Sequence, residues 1–322
     1  MLNDDQTNGG SGAGGGTGAP PAGFPVPAPL IAAVLTPTTA RGATDPDVTS
    51  AYFRGVVADG ADGLAVAVHT GRGDRLPLPA RAALVGAARA LTPTVVTAVW
   101  PHDDLDRWGR LAADAGATAL LVAPAARDDP GVELRRLDRL SRASGLDLIA
   151  FDLYTGPYAP ATLAAVLGHP AVTAYKPAHL SDAIACQAGI WSAVAAGVTV
   201  LTGEDRMFVP SLLWGARGAL VGLAAAATPL TRTAFRAAHE PRAELFAPSR
   251  ILDEFAAATF RPPYDGYVQR MSWIAADEGR IPVEFAVDPG RPAGLGDAER
   301  APLLALTRRL LDEVEAAGIP PR

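Results

Sequence analysis

The chain has 322 residues, 49% hydrophobic and 19% charged, with a net charge of −6. That composition belongs to a globular chain with a sizeable core, and its acidic balance offers no electrostatic footprint for nucleic acid or an anionic membrane. The single cysteine, Cys186, excludes an internal disulfide framework and a multi-thiolate metal site; the expectation is a cytoplasmic chain with no metal and no cofactor.

Residues 1–27 are dominated by Gly, Pro and Ser and predict a flexible tail that contributes nothing to a core. No basic stretch followed by an apolar one opens the chain, so no secretory signal is read there. From Leu30 onward, short apolar runs alternate with longer segments of helical period. The runs are 30–35, 63–68, 94–100, 117–123, 146–152, 172–176, 198–202 and 218–223, each read as a strand buried on both faces. Between them, segments such as 45–59, 79–90, 103–115, 133–143 and 182–195 carry apolar residues three and four apart and predict helices. Gly60, Gly116, Gly145 and Gly215 stand where a helix should end and the next strand begin. The longest apolar stretch, 218–230, is too short to span a bilayer.

Eight such repeats predict an α/β fold of the (β/α)8 TIM-barrel type over residues 28–229. No G-x-G-x-x-G follows the first strand, which weighs against a dinucleotide-binding sheet. Past the eighth run the pattern turns wholly helical, through 231–238, 250–259, 266–278 and 298–317, with 288–297 as a loop. This predicts a C-terminal helical domain over residues 230–322.

In such a barrel, chemistry belongs at the C-terminal ends of the strands. Of the 28 basic residues only Lys176 is a lysine, and it closes the sixth run. A coding bias that swaps lysine for arginine explains the other 27, but a guanidinium stays protonated and cannot form a Schiff base. A lysine pointing into the barrel is desolvated, which lowers its pKa and frees the amine for attack on a carbonyl carbon. His69, Thr70 and Gly71 close the second run and offer a hydroxyl and backbone N–H groups to an anion such as a carboxylate. On this motif alone a plain turn is the commoner explanation. The five histidines show no ligand spacing, and Cys186 falls within a predicted helix, where packing is its expected role. Glu204 and Asp205 would repel a phosphate at the seventh strand end.

Five stretches, LIAAVLTPTTARGATD (30–45), GADGLAVAVHTG (60–71), GATALLVAP (116–124), HPAVTAYK (169–176) and VLTGEDRMFVPSLLWGARGALVG (200–222), in this order, resemble the dihydrodipicolinate synthase / N-acetylneuraminate lyase family. The resemblance runs from Leu30 to the C-terminus. It implies a class I aldolase barrel, a homotetramer or homodimer, in which Lys176 forms a Schiff base with pyruvate or another 2-oxo acid and Thr70 and Gly71 hold the carboxylate. His69, Phe151, Gly203 and Gly222 complete the implied substrate-binding set.

The departures bear on the substrate. The family closes its fifth strand with Tyr-Asn-x-Pro, whose tyrosine hydroxyl shuttles protons; here Phe151-Asp152-Leu153-Tyr154 keeps the ring and drops the hydroxyl. Tyr154, His69 or a water are the substitutes open to it. The family's Tyr-Tyr after strand four is Ala125-Ala126, its arginine after strand five is missing from Thr155-Gly156-Pro157-Tyr158, and Arg72 stands where it has glutamate. The expectation is a Schiff-base lyase, aldolase or hydro-lyase, distinct from authentic dihydrodipicolinate synthase. The alternative is an impaired member that binds a 2-oxo acid as a sensor or scaffold.

Overall fold

Apolar residues on both strand faces leave a sheet stable only when both are covered, and the chain meets this by closing the sheet on itself. In the computed structural model, which describes residues 28–240 and 244–317, eight parallel strands form a barrel in sequence order: β1 Leu30–Ala33, β2 Gly63–Val66, β3 Val95–Val99, β4 Ala119–Val122, β5 Asp147–Leu153, β6 Val172–Ala178, β7 Thr199–Thr202 and β8 Gly218–Val221. The seam is β1 against β8, with Ile31 opposite Leu220. The tail read at residues 1–27 lies outside the described residues.

Helices α1 Pro46–Ala58, α2 Leu78–Arg89, α3 Leu105–Asp114, α4 Pro130–Ser144, α5 Pro160–Leu167, α6 Ala183–Ala195 and α7 Phe208–Leu213 cover the outside. Four of them start at aspartate caps: Asp45 accepts from the Asp47 and Val48 amides, and Asp104, Asp129 and Asp182 cap α3, α4 and α6 in the same way. Gly60, Gly116, Gly145 and Gly215 all adopt positive φ at the junctions where the sequence expects helix stops.

Side chains alternate along the strands. Ile31, Val96, Leu121, Ile149, Ala174 and Leu220 fill the barrel interior, while Leu30, Val95, Leu120, Leu148 and Tyr175 pack outward under the helices. Strands five and six run further than the sequence reading, which ended them at residues 152 and 176. Phe151 pairs with Lys176 and Leu153 with Ala178. The extra length is fastened by buried Asp152, which accepts from the Tyr158 amide (2.8 Å) and the Tyr175 hydroxyl (2.7 Å) and pairs with His179 Nε2 (3.1 Å).

Beyond the barrel lie α8 Thr228–His239, α9 Phe246–Thr259, α10 Tyr267–Asp277 and α11 Arg300–Ala316. Fully buried Arg270 on α10 ties the end of α9 to the start of α11, pairing with Glu299 (3.0 Å) and donating to the carbonyls of Thr259 and Arg261. Asp288, in the segment read as a loop, is buried and ion-paired to Arg72 at 2.8 Å, which ties the end of the second strand to the C-terminal segment. No helix among the described residues is long and apolar enough to cross a membrane.

Candidate active site

Lys176 is only 7% exposed, and its Nζ lies 3.9 Å from the centre of the Phe151 ring. The amine reaches that position because residue 203 is glycine: a Cβ there would stand 2.7 Å from both Cε and Nζ of Lys176 and 2.5 Å from the Pro177 carbonyl oxygen. Burial pulls the Lys176 pKa down to about 8, against the opposing pull of Asp205 and Glu204. Asp205, which also lines the cavity, is pushed up to about 7 by burial, opposed by Lys176 and by the amides of Leu223 and Gly222. Glu204 is fully buried and accepts from the His179 (2.6 Å) and Leu180 (2.9 Å) amides, so it shapes the turn after strand six.

His69, Thr70, Phe151, Tyr154, Gly203 and Gly222 line the same cavity as Lys176. Gly71 does not. It sits behind Thr70 on a neighbouring cavity, its N–H donated to the Val68 carbonyl and its carbonyl accepting from Thr36 Oγ1. The amides of Arg72 and Gly73 are likewise spent on the His69 and Val68 carbonyls. The amides of His69 and Thr70 are without an acceptor among the described residues, so those two and the Thr70 hydroxyl are donors available to an anion. The turn is strained, with Ala67 and Arg72 both in the left-handed region (φ +51° and +50°). Gly73 is required because a Cβ would overlap the Ala67 carbonyl.

Two residues of the site escaped the sequence reading. Tyr267, the first residue of α10, enters the cavity with its Oη 3.0 Å from Thr70 Oγ1 and 3.1 Å from His69 Nδ1, and its ring stacks on Phe260 at 4.5 Å. A Cβ at residue 222 would come within 3.1 Å of both rings and 3.4 Å of Thr70 Oγ1, so Gly222 makes room for this cluster. Asp265 lies 3.6 Å from His69 Nε2 and accepts from the Tyr154 hydroxyl at 2.9 Å. Burial lowers the His69 pKa to about 4, aided by Arg72 and Lys176 and opposed by Asp265, so the ring is neutral at pH 7. The Tyr154 and Tyr267 phenols are both raised by burial. The only aid to finding Tyr267 in the sequence is the density of aromatic and acidic residues at Phe260, Tyr264, Asp265 and Tyr267.

The remaining walls are apolar: Val68, Leu121, Leu153, Leu180 and Phe260, with no arginine among the lining residues. A dry amine of depressed pKa, anion donors across from it and hydroxyl and imidazole groups between them suit covalent attack on a small carbonyl compound.

No protein-family model matches the chain. A 4-hydroxy-tetrahydrodipicolinate synthase of Synechococcus sp. (strain WH7803) is 28% identical over 288 residues, covering 83% of this chain and 93% of the relative. Among solved structures, YagE of Escherichia coli K12, a prophage protein of the dihydrodipicolinic acid synthase family in complex with pyruvate, superposes with a TM-score of 0.75 at 20% identity, covering 88% of this chain and 98% of that one. A double variant of the 2-keto-3-deoxygluconate aldolase of Sulfolobus solfataricus gives 0.73 at 17% identity, over 90% and 99% of the two chains.

Proposed function

We propose that this chain, a member of the dihydrodipicolinate synthase / N-acetylneuraminate lyase family, is a lyase that forms a Schiff base between Lys176 and pyruvate or another 2-oxo acid and then makes or breaks a carbon–carbon or carbon–oxygen bond. The observation that carries this reading is the buried amine of the chain's one lysine, lowered to about 8, in a cavity shared with Thr70. The pyruvate bound by YagE and the keto-sugar chemistry named for the Sulfolobus aldolase support a 2-oxo acid substrate here. The amides of His69 and Thr70 and the Thr70 hydroxyl would receive its carboxylate.

The far end of the substrate is uncharged in this proposal. An arginine-free wall of Leu153, Leu180 and Phe260 gives a second carboxylate no counter-charge and leaves it desolvated. This supports a reaction other than that of authentic dihydrodipicolinate synthase. The protein is further proposed to be cytoplasmic and to assemble as a homotetramer or homodimer, the assembly supported by an exposed apolar stripe on α6.

Borohydride reduction in the presence of pyruvate tests the central step. The expected result is a mass increase on Lys176 in the wild type and none in Lys176→Arg. No adduct across a panel of 2-oxo acids overturns the reading. Ligand-dependent thermal stabilisation with an adduct but no product from any aldehyde or hydroxy acid would point instead to a binding role.

A further inference from the structure

A Schiff base is useful only when a proton leaves or joins the carbon beside it, so the cavity must contain a group that exchanges that proton and a route by which it reaches solvent. The lining residues with exchangeable protons are His69, Thr70, Tyr154, Lys176, Asp205 and Tyr267. Asp205 is buried, and its carboxylate accepts from the amide of Leu223 at 2.9 Å. The Tyr154 hydroxyl is already donated to Asp265, and the Thr70 alcohol is too weak an acid to serve alone. Tyr267, whose hydroxyl donates to Thr70 Oγ1 at 3.0 Å, differs from them in its route to solvent. Its oxygen is in the cavity, and it begins a chain of polar atoms that ends in water: Tyr267 Oη to His69 Nδ1 (3.1 Å), then His69 Nε2 to Asp265 Oδ1 (3.6 Å), with the Asp265 side chain 50% exposed.

We propose that Tyr267 is the proton-transfer residue of this site and that His69 and Asp265 carry its proton to and from solvent, an assignment that rests on the Schiff-base reading above. The Lys176 amine adds to the ketone carbon and water leaves, giving the protonated imine. The bond from the adjacent carbon to hydrogen then breaks, its electron pair moving into the new carbon–carbon double bond as the imine becomes an enamine. The hydrogen passes as a proton to Tyr267 Oη while the phenol's own proton, donated to Thr70 Oγ1 in the resting site, turns to His69 Nδ1 and transfers, leaving an imidazolium whose Nε2–H faces the Asp265 carboxylate. Thr70 Oγ1, 3.0 Å from the same phenol oxygen, accepts from it in the resting site and keeps its own proton for the substrate carboxylate. The reverse sequence returns the proton, and no oxidant or reductant is consumed.

The geometry accounts for details that would otherwise be unconnected. Gly222 leaves space for the Tyr267 ring, and the stack on Phe260 fixes its orientation. The ring of His69 is stacked at 27° to that of Tyr267, at 5.9 Å, and edge-on to that of Tyr154 at 6.3 Å, which limits its rotation. Tyr154 donates to Asp265 and so holds the carboxylate, making Tyr154 a positioning residue.

The test is exchange of the pyruvate methyl hydrogens for deuterium in D2O, followed by NMR, alongside borohydride trapping at equilibrium. Tyr267→Phe is expected to retain the Lys176 adduct and to slow exchange by about 10²–10⁴-fold, the usual effect of losing one acid–base group. His69→Ala is expected to slow exchange by at least tenfold, with added imidazole restoring part of the loss. Exchange within threefold of wild type in a Tyr267→Phe protein that traps fully overturns the assignment of Tyr267. Slowed exchange in His69→Ala that imidazole leaves unchanged overturns the relay. An absent adduct in the wild type would instead overturn the Schiff-base reading itself.

Discussion

The Nζ of Lys176 sits 3.9 Å from the centre of the Phe151 ring, so the face of an aromatic ring replaces water on one side of the amine. Asp205 and Glu204 favour the cation, yet burial outweighs both carboxylates and the pKa falls to about 8. At pH 7 about one amine in ten is then neutral, against about one in several thousand for an ordinary lysine. The rate of adduct formation with pyruvate should rise about tenfold per pH unit below 8 and level off above it. Stopped-time borohydride trapping between pH 6 and 10 measures this. A rate still climbing steeply at pH 10 would mean that the amine is solvated.

Arg72 and Asp288 form a buried pair, with side chains 8% and 0% exposed, in which Nε and Nη2 of the guanidinium reach both carboxylate oxygens at 3.0 and 2.8 Å. Removing one partner leaves the other charge buried and unpaired. Arg72→Ala should therefore destabilise the fold by about 3–5 kcal/mol, and Arg72→Lys should recover only part, since an ammonium lacks the planar fork. Urea unfolding of the two variants decides the matter; a loss for Arg72→Ala below about 1 kcal/mol would place the pair with weak surface bridges.

Signals within a dozen residues of each other could be read from the chain. Gly145 and its counterparts mark helix ends because the left-handed region excludes most side chains, and Lys176 draws attention as the one lysine. The eight apolar runs coincide with the eight strands, although the ends of β5 and β6 depend on Asp152, whose partners Tyr175 and His179 lie over twenty residues away. Helix α5, eight residues of mostly apolar chain opened by a proline, has too few turns for a period to show. The misses at the site are of one kind. Tyr267 and Asp265 meet Thr70, His69 and Tyr154 across 111 to 198 residues, and a tyrosine at the head of an amphipathic helix looks like any core aromatic. The family resemblance places Gly71 at the carboxylate, but the turn's own hydrogen bonding consumes its amide.

Two glycines with open surroundings separate backbone conformation from packing. Gly145 caps α4 at φ +65° and Gly86 lies inside α2, and a Cβ at either position would meet nothing within 4 Å. Gly145→Ala forces a side chain into the left-handed region and should cost about 1–2 kcal/mol. Gly86→Ala, with ordinary helical backbone, should stabilise by about 0.4–1 kcal/mol through the unfolded chain. Thermal melts of the two single variants should move in opposite directions; a shared direction would mean that the helix ends are governed by contacts rather than by φ.

Ile184, Trp191 and Val194 lie along one side of α6, at 84%, 56% and 50% exposure, with Leu213 of α7 at 66%. Scattered surface apolar residues need no explanation, but an indole and three aliphatic side chains on two adjoining helices leave apolar area in water that a second copy would cover. Trp191→Glu puts a charge into the middle of that stripe, where burial without a counter-ion is unfavourable. Sedimentation velocity should show the wild type as a dimer or tetramer and the variant shifted to a smaller species at equal concentration. Because the site residues of the barrel mouth lie on other elements, the variant should still form the Lys176 adduct. A wild-type monomer, or an unaltered assembly in Trp191→Glu, would remove α6 from the interface.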